Sequence, residues 1–595
     1  MSEDYEALGF KAGLEIHQQL DGHKLFCDCQ TIIREDDPDF TVTRQLRASV
    51  GESGETDIAA SHEQAKQKMF VYQGYQDTTC LVELDEEPVS APNPVAVETA
   101  VMVAEMLEMK RFDKVHVMRK VVVDGSNTSG FQRTMSVASD GVLKDVRIDR
   151  ICLEEDSCKV IKRGKEQDTY NLSRLGIPLL EITTKPDIKN PDHLQEIAAE
   201  IGMVLRSTNR VKRGLGTIRQ DVNISIAKGT RVEIKGVQDL DTMPLLGDNE
   251  VKRQKGLVDI ATEHDSFTIE TGMDVSDAFS SSSTKWITSA LKNGSAIAGT
   301  LSGVTGLLGK ELFENFRVGT EVSGYAKAWG FGGLIHTDED SKKYGLDSWD
   351  ELRSLANASD TDTVFVLLGD KERATYALKH PITDRIHALT QGVPSCVRKA
   401  NADGSTTYLR PMPGAARMYP ETDVYSFDVT NIAVKLPELL SDLIERISTE
   451  HGIDEGVVSQ LAKSGRIELF EKWAKQLSSA LAAEVLASKE KELKKRHDVV
   501  FDVEGVAEEL FTKLADESIS TSAIDDVLVE YANNQSVDWS QFKTLDDSAI
   551  RDVVKQVIAS DPDAPMGALM GQAMSRLSGK ADGKVVSQML REELK

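Results

Sequence analysis

Apolar positions along the chain follow two rhythms, mixed up to about residue 280 and almost purely helical after about residue 432. The clearest alternation is GTIRQDVNISIAKGTRVEIKGV, residues 216–237. Val222, Ile224 and Ile226 alternate with Arg219, Asp221, Asn223 and Ser225. After the turn AKGT, Val232 and Ile234 alternate with Arg231, Glu233 and Lys235. Successive strand side chains point to opposite faces, so this spacing predicts an antiparallel hairpin with one aliphatic and one polar face. Such a polar face is either solvated or lines a site, and the period alone leaves both open.

Other elements follow from the same patterning. Asn93 before Pro94 predicts a helix start, with apolar residues at helical spacing through Met109. VHVMRKVVV and DVRIDRICL read as strands near the turn DGSNTSG. Leu175–Thr184 reads as a short apolar strand interrupted by Pro178. Between about 285 and 400 the glycine clusters SGVTGLLG and GYAKAWGFGG, an acidic helix candidate and the strand TVFVLLGD suggest a separate α+β module. RPMPGAARMYPETD then reads as a rigid loop, and amphipathic helices follow. There is no internal repeat. The fold class expected is multidomain α+β, with a sheet-based first domain, a separate α+β module and C-terminal helical domains. The boundaries fall at 1–284, 285–400, 401–431, 432–499 and 500–595.

Composition narrows this picture only a little. A chain of 595 residues exceeds one compact core. No run approaches the length of a membrane span, and MSEDYEALGF lacks the features of a signal peptide. Six cysteines fit a reducing compartment, so a cytoplasmic location is expected. The net charge of −27 disfavours a wholly basic nucleic-acid surface but leaves room for local ones. Arg206, Arg210, Lys212 and Arg213 surround a glycine-bearing loop, and Lys491, Lys494, Lys495 and Arg496 form a second basic run. Either is a solvated face or a contact surface.

Carboxylates dominate the candidate chemistry. Glu15 and His17 are two apart in AGLEIHQQL, so on a strand they share a face. Glu154, Glu155 and Asp156 end another strand candidate. Glu181, flanked by Leu179, Leu180 and Ile182, must be partly buried and so needs a partner. Such oxygen donors suit Mg²⁺ shared with substrate phosphates, or else they are satisfied structural carboxylates. The chain contains no GxxxxGK[ST], GxGxxG after a strand, HExxH or GxSxG motif, so any amide hydrolysis belongs on another chain. Cys27, Cys29 and Cys80 give only three zinc donors where a structural site takes four, so zinc is not expected.

Several strings in order carry a specific likeness: GLEIH at 13–17, KLFCDC at 24–29, LEEDSCK at 153–159, IPLLEITTKPD at 177–187 and IRQDVNIS at 218–225. Together they resemble the GatB/GatE family of tRNA-dependent amidotransferase subunits. PMGALMGQAMSRLSGKADGKVVSQMLREEL resembles that family's YqeY-like tail. GYAKAWGFGGLIHTDED resembles the extra domain of bacterial-type aspartyl-tRNA synthetases, an insertion that marks the E branch, and DGSNTSGFQRT and RPMPGAARMYPETD also look like that branch.

The resemblance implies a cradle-shaped catalytic domain that binds ATP and Mg²⁺ and converts Glu-tRNA(Gln) to Gln-tRNA(Gln). The partner implied is an asparaginase-like D subunit supplying ammonia, in a heterodimer or a dimer of heterodimers. Glu15, His17, Glu181 and one or both of Glu154 and Glu155 match its catalytic and metal-site motifs. Arg219, Asp221, Asn223, Ser225, Glu233 and Lys235 match its lining. Arg119, Lys120, Gln132 and Lys159 fall where the family has nucleotide- or substrate-side residues. Some relatives carry two cysteine pairs as a zinc knuckle, from which this chain departs. A carboxylate–amine ligase acting on a small acid would need neither insert nor helical tail, and tRNA binding distinguishes the two. A non-catalytic tRNA scaffold would show a degenerate carboxylate set, whereas here every motif carboxylate is present.

Overall fold

The computed structural model describes residues 3–47, 68–164, 166–412, 418–577 and 580–594. The chain divides into two compact units, Met1–Pro437 and Glu438–Lys595.

The first unit is built on an eleven-stranded sheet. Its strands are β1 (Lys11–Gln19), β2 (Lys110–Arg111), β3 (Val117–Val121), β4 (Phe131–Leu143), β5 (Val146–Glu155), β6 (Pro178–Thr184), β7 (Ile218–Ser225), β8 (Val232–Val237), β9 (Cys396–Ala400), β10 (Thr406–Pro411) and β11 (Met418–Pro420). The order across the sheet is β10-β9-β8-β7-β1-β6-β5-β4-β3-β11, with β2 beside β4. Every neighbour is antiparallel except β8 and β9.

The predicted hairpin is β7–β8, with Val222 opposite Ile234 and Asn223 opposite Glu233. Pro178 does not interrupt a strand; it opens β6, where its missing N–H costs no interior ladder bond. The thirteen-residue β4 has no counterpart among the predicted strands, because its buried positions include the polar Gln132, Arg133 and Thr134 and so do not stand out as apolar.

Alternation along these strands gives the sheet two unlike faces. Leu14, Ile16, Ile151, Leu153, Leu180, Ile182, Val222, Ile224 and Ile234 are fully buried on one. The helices Pro94–Met106, Pro191–Ser207 and Met243–Glu263 share their core. Asn93 caps the first of these as expected, accepting from the Val95 and Ala96 amides with Pro94 next in line, and Asn190–Pro191 repeats the device. The opposite face, free of this packing, carries the polar residues.

A four-stranded antiparallel sheet in the order Ile269–Asp274, Ser295–Leu301, Thr363–Gly369 and Ile335–His336 follows, with its own core around Ala298, Ile287 and Val366. Its first strand precedes residue 285. Glu321 ties this region to the main sheet, lying fully buried against Arg253 at 3.2 Å, Arg385 at 3.1 Å and Arg398 at 2.9 Å. A further small sheet joins Phe40–Arg44, Met69–Gly74, Gln167–Asn171 and Lys159–Lys162. Within RPMPGAARMYPETD, residues 413–417 lie outside the described residues, as do 578–579 in the tail.

The described residues of the second unit form helices, from Leu440–His451 to Gly583–Glu593. Its last three, Asp547–Ser560, Met566–Leu577 and Gly583–Glu593, bury Val554, Leu569, Ala573 and Leu590 in one cluster. No helix among the described residues is long and apolar enough to cross a membrane.

Candidate active site

The centre of the polar face is set by register. On β1, Glu15 stands opposite Thr183 and Asp221, and His17 opposite Glu181 and Arg219. His17 Nε2 lies 3.4 Å from Glu15 Oε1 and 3.4 Å from Glu181 Oε2. One ligand atom from each of these three residues falls within 4.8 Å of the others, a spacing that suits a metal ion. Glu154, on β5, continues the row. Its carboxylate accepts from Lys120 Nζ at 2.8 Å and from Gln132 Nε2 at 3.0 Å, and Lys120 lies 4.0 Å from Glu181.

On the other side of β1, Lys235 Nζ contacts Asp221 and Glu233, each at 2.5 Å. Arg219 donates to Asp156 at 2.8 Å, and Asp156 also accepts from Gln19 at 2.6 Å. Asn223 lies one strand step beyond Asp221, and Ser225 sits opposite Lys11 at the far end of β7.

Three expected residues lie elsewhere. Glu155 has the parity of Leu153 rather than of Glu154, and its carboxylate meets Arg133 at 3.4 Å. Arg119 differs from Lys120 in the same way and pairs with buried Glu421, to which Arg133 also donates at 2.6 Å. Lys159 belongs to the small sheet and pairs with Glu35 at 2.6 Å. Consecutive residues on a strand cannot share a face, so only one of each adjacent pair reaches the cluster.

The charges on this face are not balanced by its cations. Glu15, Glu154, Asp156, Glu181, Asp221 and Glu233 face Lys120, Arg219, Lys235 and His17. Burial and Glu181 push the Glu15 carboxyl up to about 7, against the pull of His17 and Lys235. Burial and Glu181 likewise raise Glu154. Burial also raises Glu181, but its hydrogen bond to His17 and the charge of Lys120 outweigh this and hold it at about 2. Burial lowers the His17 imidazole, yet Glu181 and Glu15 more than compensate and raise it. Gln19 Oε1 and Asn223 Oδ1 are buried acceptors with no hydrogen-bond partner among the described residues. Unmatched acceptors and surplus negative charge are what a cation-binding, substrate-facing surface requires.

A family model described as the GatB/GatE catalytic domain matches residues 10–435, well over half of the chain. The chain belongs to the GatB/GatE family. A second model, the GatB domain, matches residues 467–594. Proteins named as the E subunit of glutamyl-tRNA(Gln) amidotransferase, from Methanococcus maripaludis and Methanocaldococcus jannaschii, are each 42% identical, with 100% of this chain aligned to 99% and 100% of theirs. The protein of that name from Haloarcula marismortui is 42% identical over 99% of both chains.

In this GatB/GatE chain the structure adds a donor that the cysteine pattern alone does not show. Glu83 joins Cys27, Cys29 and Cys80, with ligand atoms within 4.8 Å of one another. Cys27 Sγ lies 2.9 Å from Glu83 Oε1, and the Cys80 amide donates to Oε2 at 2.7 Å. Hydrogen bonds from Cys27 and Cys29 hold the Cys80 thiol far below its ordinary range, while the Cys27 thiol is pushed far up. The expectation of only three donors is thereby corrected to four. The signal was the spacing Cys80-x-x-Glu83, which mirrors paired metal ligands. Arg133, Gln19 and Glu421 were also missed, and no local pattern marks them.

Proposed function

We propose that this chain activates the γ-carboxylate of Glu-tRNA(Gln) with ATP and amidates it to Gln-tRNA(Gln), using ammonia from an asparaginase-like partner subunit. The observation that carries the reading is the Glu15–His17–Glu181 cluster, flanked by Lys120 and Lys235, on the polar face of the sheet. The names of the full-length relatives support the substrate and the multi-subunit assembly.

A carboxylate is a poor electrophile at neutral pH, since its charge repels nucleophiles and its oxygen leaves badly. Attack of a γ-carboxylate oxygen on the γ-phosphorus of ATP expels ADP and turns that oxygen into a leaving group. Ammonia nitrogen then attacks the acyl carbon. The C–O bond breaks with its electron pair on phosphate, and the nitrogen loses a proton.

Glu15, His17 and Glu181 would hold Mg²⁺, with Glu154 beside Glu181. When bound, that ion neutralises negative charge on the phosphoryl oxygens. Lys120, anchored by Glu154, and Lys235, anchored by Asp221 and Glu233, supply fixed positive charge on either side of the cluster. Asp156 orients Arg219 beside the His17 row in the same manner. These anchors hold the cations in place before substrate arrives, so little reorganisation is needed during transfer.

The test is conversion of Glu-tRNA(Gln) by the purified chain with ATP, Mg²⁺ and concentrated ammonium chloride in place of the partner. Gln-tRNA(Gln) should accumulate, and the chain alone should hydrolyse neither asparagine nor glutamine. Amide hydrolysis by the isolated chain would overturn the division of labour.

A further inference from the structure

The loop between the helix Pro191–Ser207 and β7 sits at the Gln19 end of β1, beside the candidate site. Its base is pinned to that strand. The Lys212 amide donates to Gln19 O, and the Gln19 amide to Thr217 O, each at 2.9 Å. Gln18 Nε2 spans both sides of the loop, reaching Lys212 O at 3.0 Å and Thr217 O at 3.3 Å. Beyond this base the tip is open. Leu215 is wholly exposed between Gly214 and Gly216, whose φ angles are +104° and +83°, and a Cβ at either glycine would meet nothing within 4 Å.

Four cations crowd this loop in a chain of net charge −27. Arg206 and Arg213 form no ion pair among the described residues, and Arg213 donates only to Asn209 at 2.8 Å. Arg210 pairs with Glu98 at 3.0 Å, while Lys212 reaches Asp21 only at 3.6 Å. Arg206 Nε and Arg210 Nη1 are buried with no hydrogen-bond partner among the described residues. Burial, with Arg213 nearby, lowers the Arg206 guanidinium below its ordinary range. Gathering cations with so few carboxylates has a folding cost, while Leu215 gains nothing from its apolar surface at the open tip. A polyanion with apolar base faces lying across the loop offsets the first and supplies the burial that the second lacks.

We propose that residues 206–217 clamp the single-stranded 3′ end of RNA, with Lys212 and Arg213 on its phosphates and Leu215 against a base. The inference rests on the reading of Glu-tRNA(Gln) as substrate, because only then must an RNA end cross this rim to bring the γ-carboxylate of its esterified glutamate to Glu15, His17 and Glu181. The apolar tip separates the clamp from a nucleotide-triphosphate site, where an exposed leucine has no role.

The test is fluorescence anisotropy with the full chain and two labelled tRNA(Gln) transcripts, one intact and one lacking the unpaired 3′ nucleotides. Wild-type chain should bind the intact transcript more tightly. The double variant Lys212→Glu/Arg213→Glu should lose at least tenfold on the intact RNA and little on the shortened one. Neutral replacements, Lys212→Gln/Arg213→Gln, should lower the salt-dependence slope by about 1.4, or about 0.7 per single-strand phosphate contact. Leu215→Ala, which removes no internal contact, should weaken only the intact transcript. ATP affinity, measured by equilibrium dialysis, should be unchanged in every variant. Wild-type binding of intact tRNA by the charge-reversed variant, or a loss confined to ATP, would overturn the clamp. Failure of the wild-type chain to bind either transcript would instead overturn the substrate reading beneath it.

Discussion

His17 and Glu181 face each other directly across β1 and β6, with Nε2 and Oε2 3.4 Å apart. This pairing converts two separated sequence motifs into one donor set. It also makes Glu181 the carboxylate most firmly kept ionised at the centre of the face. Glu181→Gln preserves shape but removes that charge. Amide formation should fall by at least about 100-fold, as when a preorganised electrostatic contact is lost from an active site. Affinity for tRNA should change less than twofold in the same preparation. Wild-type turnover by a folded Glu181→Gln chain would remove the metal assignment.

The cysteine cluster is expected to hold one Zn²⁺ per chain, since three thiols and a carboxylate form a donor set that this ion accepts. Metal analysis of the purified chain should find close to one equivalent. Cys80→Ser and Glu83→Ala should each reduce it, and a chelator should destabilise the region around Lys24–Cys29. Full stability without bound metal would mean that the four donors satisfy one another.

Glu321 is the buried counter-ion of Arg253, Arg385 and Arg398. Glu321→Gln leaves three guanidiniums without it, and breaking a buried pair in this way costs about 3–5 kcal/mol. Hydrogen exchange in the helix Val318–Ala328 should accelerate accordingly. An unchanged exchange rate would show that Glu250 and water compensate.

Acid sensitivity is expected on the opposite face of the sheet. Burial raises the Glu421 carboxyl, but Arg119 and Arg133 outweigh this and hold it at about 2, below the ordinary 4.5. A depressed carboxylate contributes stability fully above its unfolded pKa and loses it as pH falls through the folded value. The window is therefore pH 4.5 down to about 2, over which the stability contributed by these ion pairs is lost. Glu421→Gln should be less stable than wild type at pH 7, and the difference should shrink across that window. A constant difference would show that the Arg119 and Arg133 contacts add no stability.

Much of this was readable in the chain, for identifiable reasons. Glu15 and His17 are two apart in an apolar strand, and Val222 to Lys235 alternates cleanly, so their faces follow from period alone. Glu154 could not be separated from Glu155, nor Lys120 from Arg119, because neighbours take opposite faces and only strand register says which is which. β4 escaped notice because Gln132, Arg133 and Thr134 fill buried positions with polar side chains. Glu83 is marked only by its spacing from Cys80, its partner Cys27 lying 56 residues away, and Glu421 acts through a contact 302 residues distant, to Arg119, which no local pattern encodes.

Activation of the γ-carboxylate by phosphorylation leaves a trace that oxygen-18 can follow. tRNA(Gln) charged with glutamate labelled in both γ-carboxylate oxygens is incubated with the chain, ATP, Mg²⁺ and ammonium chloride. The inorganic phosphate released is then analysed by mass spectrometry. One labelled oxygen should appear in each phosphate for each Gln-tRNA(Gln) formed. Amide formation accompanied by unlabelled phosphate would contradict the account, because the carboxylate oxygen would then have left without ever being bonded to phosphorus.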